Sequence, residues 1–90
     1  MDLWIRSNNG KFLEKLEMVK VINLLPSKGN TKTNGIVVNC NYVYGEFETE
    51  ERAIEIIDEI HNMDIENNPN FKVDEYRHKP IRVVYTMPQE

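Results

Sequence analysis

The sequence predicts an α+β domain, an antiparallel sheet of three to four strands with one main helix packed on one face. Two observations lead there. Apolar residues alternate with period 2 in segments near both ends and in the middle of the chain, whereas residues 49–63 carry them at the 3, 4, 7 spacing of a helical stripe. Asn, Gly and Pro cluster between these segments, where turns belong. The length of 90 residues holds the chain to a single domain, 1–90, because so short a chain buries only about 60 to 65% of its unfolded surface. Self-association is a ready way for such a domain to bury more.

Residues 2–6, Asp-Leu-Trp-Ile-Arg, form the first strand candidate, closed by the turn-rich Ser-Asn-Asn-Gly that follows. A second strand is expected across 11–25. There Leu16, Met18, Ile22 and Leu24 share one parity while Val19, Val21 and Leu25 take the other, so both faces turn apolar toward its end. Residues 26–35 carry Pro, Gly, Asn and Thr in turn-forming density and read as a mobile hairpin loop. The third strand, 36–47, places Ile36, Val38, Cys40, Tyr42 and Tyr44 on a core face, against Val37, Asn39, Asn41 and Val43. Gly45 breaks or bulges it.

The helix opens on Thr49 as N-cap, with Glu50 and Glu51 placed where the positive end of the dipole favours them. Ala53, Ile56, Ile57, Ile60 and Met63 form its apolar stripe, with Ile54 at the margin, and the acids occupy the rest of the wheel. From 64 to 79 no period persists, and Asn-Asn-Pro-Asn signals a turn, so a long functional or mobile loop is expected. Beyond Pro80, residues 81–87 alternate again and form a last strand or a segment that pairs with another subunit.

The net charge of −4 divides unevenly: residues 1–45 hold six basic and three acidic groups, residues 46–90 five and twelve, giving +3 and −7. That balance argues against duplex nucleic acid as a partner, which calls for a basic face with many phosphate contacts. A small anionic ligand needs only two or three local arginines and stays permitted. The single cysteine, Cys40, allows no internal disulfide and no Cys-based zinc cage. No apolar leader or membrane-length run is present, so a soluble, cytoplasmic protein without a membrane partner is expected.

Asp58 and His61 stand three apart on the helix and can reach one metal ion, but a site needs further ligands and His78 is isolated in the loop. No metal, cofactor or catalytic residue is therefore expected, and no nucleophile elbow, phosphate loop or dinucleotide fingerprint points to an enzyme. The acid-rich helix can imitate a phosphate backbone, or simply keep the domain wet. Arginines and aromatics lie close in sequence at three places: Trp4 and Arg6, Tyr76 and Arg77, Arg82 and Tyr85. Guanidinium forks bind phosphate and rings stack on bases, so these groups can line a nucleotide pocket. The alternative is that Trp4 and Tyr85 are core or interface residues while the arginines pair with the acidic helix.

Three blocks in order, LWIRSNNGKFL, YGEFETEERAIEIIDEI and VYTMP, resemble a family of small proteins encoded by phages of clostridia and related bacteria. The family pattern is WIRSQ, a strand ending in Gly before TEERAxExLDEI, and a terminal MP element. This chain departs at Asn8, where glutamine is usual, at Ile57 in place of leucine, and in a shorter tail. The blocks cover a little over a third of it. The wider group is similar to Thoeris anti-defence sponges, which sequester cyclic ADP-ribose isomers made by bacterial TIR enzymes, and some relatives are associated with the cyclic oligonucleotides of CBASS defence. The resemblance implies a sheet with a packed helix, homo-oligomers (dimers or hexamers), ligand sites between subunits and action in the infected host's cytoplasm.

On that reading the protein binds a small anionic nucleotide signal without cleaving it. Residue type and placement, not a motif, nominate Arg77 and Arg82 as phosphate donors, Trp4, Phe71, Tyr76 and Tyr85 as stacking groups and Arg6 as a further donor. A second expectation, of another class, is an inhibitor that docks on a host defence protein through its acidic helix. A third is an accessory phage subunit.

Overall fold

The computed structural model describes residues 2–90. It is an α+β fold of one helix and seven strands, the strands divided between a four-stranded and a three-stranded sheet. In chain order they are β1 (Asp2–Arg6), β2 (Leu13–Lys15), β3 (Val19–Asn23), β4 (Asn34–Val38), β5 (Tyr42–Phe47), α1 (Glu50–Asn62), β6 (Phe71–Tyr76) and β7 (Lys79–Thr86). The first sheet has the order β2-β1-β7-β6, and the second is the meander β3-β4-β5.

The expected 11–25 strand is two strands belonging to different sheets, which explains why both of its parities are apolar. β2 runs antiparallel to β1, with Arg6 opposite Leu13, and β3 runs antiparallel to β4, with Val21 opposite Ile36. The expected 36–47 strand is likewise a hairpin. Asn39 and Cys40 both take positive φ, 54° and 59°, and turn the chain after Val38. Cys40 is therefore exposed in a turn and Tyr42 stands open to solvent, not on a core face. The Asn39 side chain ties this turn to the β2–β3 connection: its Oδ1 accepts from the amides of Glu17 and Met18 at 2.8 and 3.0 Å, and its Nδ2 donates to the Lys15 carbonyl at 2.8 Å.

The segment expected as a long loop supplies β6, paired antiparallel with β7 across the two-residue turn Arg77-His78. Both turn residues have positive φ, 53° and 63°, the conformation that matches the twist of a two-residue hairpin. β7 also pairs with β1, in parallel, Trp4 opposite Val84 and Ile5 opposite Tyr85, which makes the four-stranded sheet mixed.

The helix forms as its sequence dictates. Thr49 Oγ1 accepts from the Arg52 amide at 3.1 Å, and Met63 closes the C-terminus in the left-handed conformation, φ 48°. Ala53, Ile56 and Ile60 are buried, Ile57 is half-buried, and Ile54 and Met63 are exposed. The helix packs on the three-stranded sheet. One core then joins all three layers: Ile5, Phe71, Val83, Tyr85 and Met87 from the first sheet, Ile36, Val38, Tyr44 and Phe47 from the second, and the helix stripe.

Gly45 sits beside the register shift that the sequence anticipates, opposite Ile36. A Cβ there would lie 2.5 Å from Met87 Cγ and 3.1 Å from the Phe47 ring, both of them buried side chains. Gly45→Ala is expected to cost about 1 to 3 kcal/mol by overpacking. A thermal melt checks this, since a domain of this size loses about 4 to 8 °C per kcal/mol. No helix among the described residues is long and apolar enough to cross a membrane.

Candidate functional site

The four-stranded sheet has one face on the core and one turned away from it. Alternation along β1 sends Leu3 and Ile5 inward and Asp2, Trp4 and Arg6 outward, while β7 sends Val83 and Tyr85 inward, with Met87 following just beyond its end, and Arg82, Val84 and Thr86 outward. Parallel register sets Asp2 beside Arg82 and Trp4 beside Val84, so Trp4 and Arg82 are diagonal neighbours within reach of each other. The Arg82 guanidinium lies over the Trp4 ring, 5.0 Å from its centroid. Its cross-strand partner Asp74 on β6 accepts from Arg82 Nε, which fixes the fork while the terminal nitrogens make no hydrogen bond among the described residues.

Arg6 stands on the same outward side of β1, and Lys15 and Lys72 are the cross-strand partners of Trp4 and Val84. Asp2 pairs with Lys15 at 3.6 Å, both side chains more than half exposed, a contact that contributes little to stability. Four cations thus face two carboxylates here, in a protein whose net charge is −4. An oriented guanidinium stacked on an indole, with further cations close by, is suited to a flat, multiply charged anion. One face of the indole is already covered, so an incoming ring stacks on the outer plane of the guanidinium or displaces it.

The seven residues nominated from the sequence fall into three places. Trp4, Arg6 and Arg82 share the outer sheet face. Tyr76 and Arg77 are at the tip of the β6–β7 hairpin, where the Arg77 guanidinium is 5.2 Å from the Tyr76 ring centroid, a second and separate arginine–aromatic pair. Phe71 and Tyr85 are buried at 4% and 0% exposure and pack edge to face at 4.8 Å in the core, so neither ring offers a face to a ligand within this chain.

Burial raises the Tyr85 phenol well above its usual range, and its hydrogen bond to Glu59 Oε2, 2.9 Å, adds to the effect. Glu59 is thus drawn toward the core at the edge of the helix, where it also lies 3.9 Å from Arg52, instead of facing solvent with the other acids. A matching pair joins the two sheets. Tyr44 Oη on β5 donates to Glu14 Oε1 on β2 at 2.6 Å. Tyr44 is raised by burial and then by Glu14, and Glu14 is lowered chiefly by that same hydroxyl, against a smaller opposing effect of burial. Neither pair has a sequence signal, because the partners are 30 and 26 residues apart.

A cleft of about 260 Å³ lies at the start of the helix, lined by Lys32, Phe47, Glu48, Thr49, Arg52 and Glu90. The chain's own last residues bridge it: Arg52 donates twice to the Glu90 carbonyl, at 2.8 and 3.1 Å, and Lys32 Nζ donates to the Gln89 carbonyl at 2.8 Å. Among the described residues no three His, Cys, Asp or Glu side chains gather as metal ligands, and His61 and His78 are exposed and apart. No family model, curated protein or solved structure matches the chain.

Proposed function

We propose that the protein captures a small anionic nucleotide, a cyclic ADP-ribose isomer or a cyclic oligonucleotide, on the outer face of its four-stranded sheet and holds it without cleaving it. The observation that carries this reading is the Trp4–Arg82 stack, oriented by Asp74 with Arg6 on the same side. Arg82 supplies the phosphate fork and Trp4 the stacking plane, while Arg6 adds charge. Tight capture calls for burial that an open sheet lacks, so a second copy closes the site. The resemblance of the sequence to phage anti-defence sponges supports this reading, under which the protein acts in the cytoplasm of the infected host.

Trp4 is the only tryptophan, so its fluorescence reports the site directly. Titration with a cyclic ADP-ribose isomer or a cyclic dinucleotide is expected to change that emission saturably. Arg82→Ala is expected to weaken capture at least tenfold, the equivalent of about 1.4 kcal/mol. Heating the complex should return the nucleotide chemically intact. Unchanged emission with every nucleotide would refute capture, and an altered nucleotide would refute the non-catalytic reading.

A further inference from the structure

We infer that the β6–β7 hairpin is a docking arm for a second copy of this chain, and that it seats on the outer ridge of α1 in a reciprocal, two-fold pair. This inference goes beyond the capture reading and does not depend on any ligand.

The arm is built to be covered. From Lys72 to Arg82 no residue is buried, and among the described residues β6 pairs with no strand except β7. The molecule measures 49 × 23 × 20 Å, and about five residues of hairpin beyond Val73, at roughly 3.3 Å each, extend the arm about 17 Å. An isolated two-stranded hairpin is marginal in water. Yet this one exposes Val73, Tyr76 and Ile81 at 36%, 62% and 54%, three of the eight large exposed hydrophobics among the described residues. Such a concentration marks a contact surface rather than scattered surface apolars.

Charge identifies the occupant. Lys72, Arg77 and Lys79 have no carboxylate within salt-bridge distance among the described residues. The outer ridge of α1 is their complement. Ile54, 45% exposed, has Glu50 and Glu51 one turn before it and Asp58 one turn after, and none of these three acids has a cation partner among the described residues. An apolar knob flanked by carboxylates is thus matched by an arm that carries exposed apolar side chains and, among the described residues, three unpaired cations against one unpaired carboxylate, Glu75. A single hairpin on a single helix is a small contact beside the roughly 800 Å² per partner of a stable interface, and a reciprocal pair doubles it. Doubling the contact within one closed pair favours that arrangement over an open chain of copies.

Reversing charge on both surfaces gives a decisive test, read by light scattering and sedimentation. The wild-type chain is expected to run at twice its monomer mass and to dissociate more readily as salt rises. Arg77→Glu with Lys79→Glu on the arm, or Glu51→Lys with Asp58→Lys on the ridge, should each weaken the pair at least tenfold while circular dichroism stays unchanged. Mixing the two reversed proteins restores opposite charge at both contacts and should recover the pair. A wild-type monomer overturns the inference, as does a pair indifferent to both reversals or reversed proteins that fail to recover on mixing. Mass that climbs steadily with concentration overturns the two-fold arrangement. A wild-type monomer that co-purifies with nucleic acid, lost on arm reversal, assigns the arm to nucleic acid instead.

Discussion

Tyr44→Ala is expected to remove about 3 to 5 kcal/mol of folding stability, the range for deleting a fully buried aromatic ring. A domain of this length has only about 5 to 13 kcal/mol in total. Tyr44 is 0% exposed, its ring lies 5.9 Å from that of Phe12, and its hydroxyl crosses from the three-stranded sheet to Glu14 in the four-stranded one. Tyr44→Phe separates the two contributions. The ring stays and only the bond to the carboxylate is lost, so a smaller cost of about 1 to 2 kcal/mol is expected. Urea denaturation of both variants is the check. If the phenylalanine variant matches the wild type, the hydroxyl does not hold the sheets together.

Alkaline pH is expected to unfold the protein steeply. Tyr44 and Tyr85 both have phenol pKa values raised above the usual range, each first by burial and then by a carboxylate partner. A group whose pKa is higher folded than unfolded contributes stability that is complete below its unfolded value, about 10 for tyrosine, and is lost as pH rises beyond it. Between that point and their folded values each tyrosine removes about 1.4 kcal/mol per pH unit, so about 2.8 kcal/mol per pH unit for the two together. Glu14 behaves oppositely: its pKa is lowered, so its contribution is present above the usual carboxylate range and fades as pH falls through it. The Tyr44–Glu14 bond therefore weakens at both ends of the pH scale. Ultraviolet difference spectra should show these two phenols ionising together with unfolding. Early ionisation of all tyrosines in a still-folded protein would sink the argument.

The helix was the most legible element because its cap, first-turn acids and stripe all agree. Thr49, Glu50 and the Ala53, Ile56, Ile60 series behave as their spacing demands. The α+β class and the strands expected at 2–6 and 81–87 were legible for the same reason, a period matched to burial. What escaped reading has specific physical causes. Hairpin turns usually announce themselves with glycine, but Asn39-Cys40 and Arg77-His78 adopt positive φ without one. Alternation therefore ran on through the first turn. The second was lost because β6 buries only Phe71 and so shows no apolar period. At the candidate site, the Trp4–Arg82 juxtaposition follows from pairing between the two ends of the sequence, which spacing cannot foretell. Phe71 and Tyr85 were nominated by ring type, and burial decided otherwise.

The parallel pairing of β1 with β7 also bears on how the chain acquires its shape. Asp2 lies opposite Arg82, so the pairing closes a loop of 80 residues, with an entropic cost of about 4 kcal/mol if the chain between is still unstructured. The β3-β4-β5 meander and the helix need only near neighbours and can order first. The four-stranded sheet, by contrast, has no centre until β7 is made and inserted between β1 and β6. During synthesis the first strand must wait with an open edge, and folding is expected in milliseconds to seconds, not microseconds.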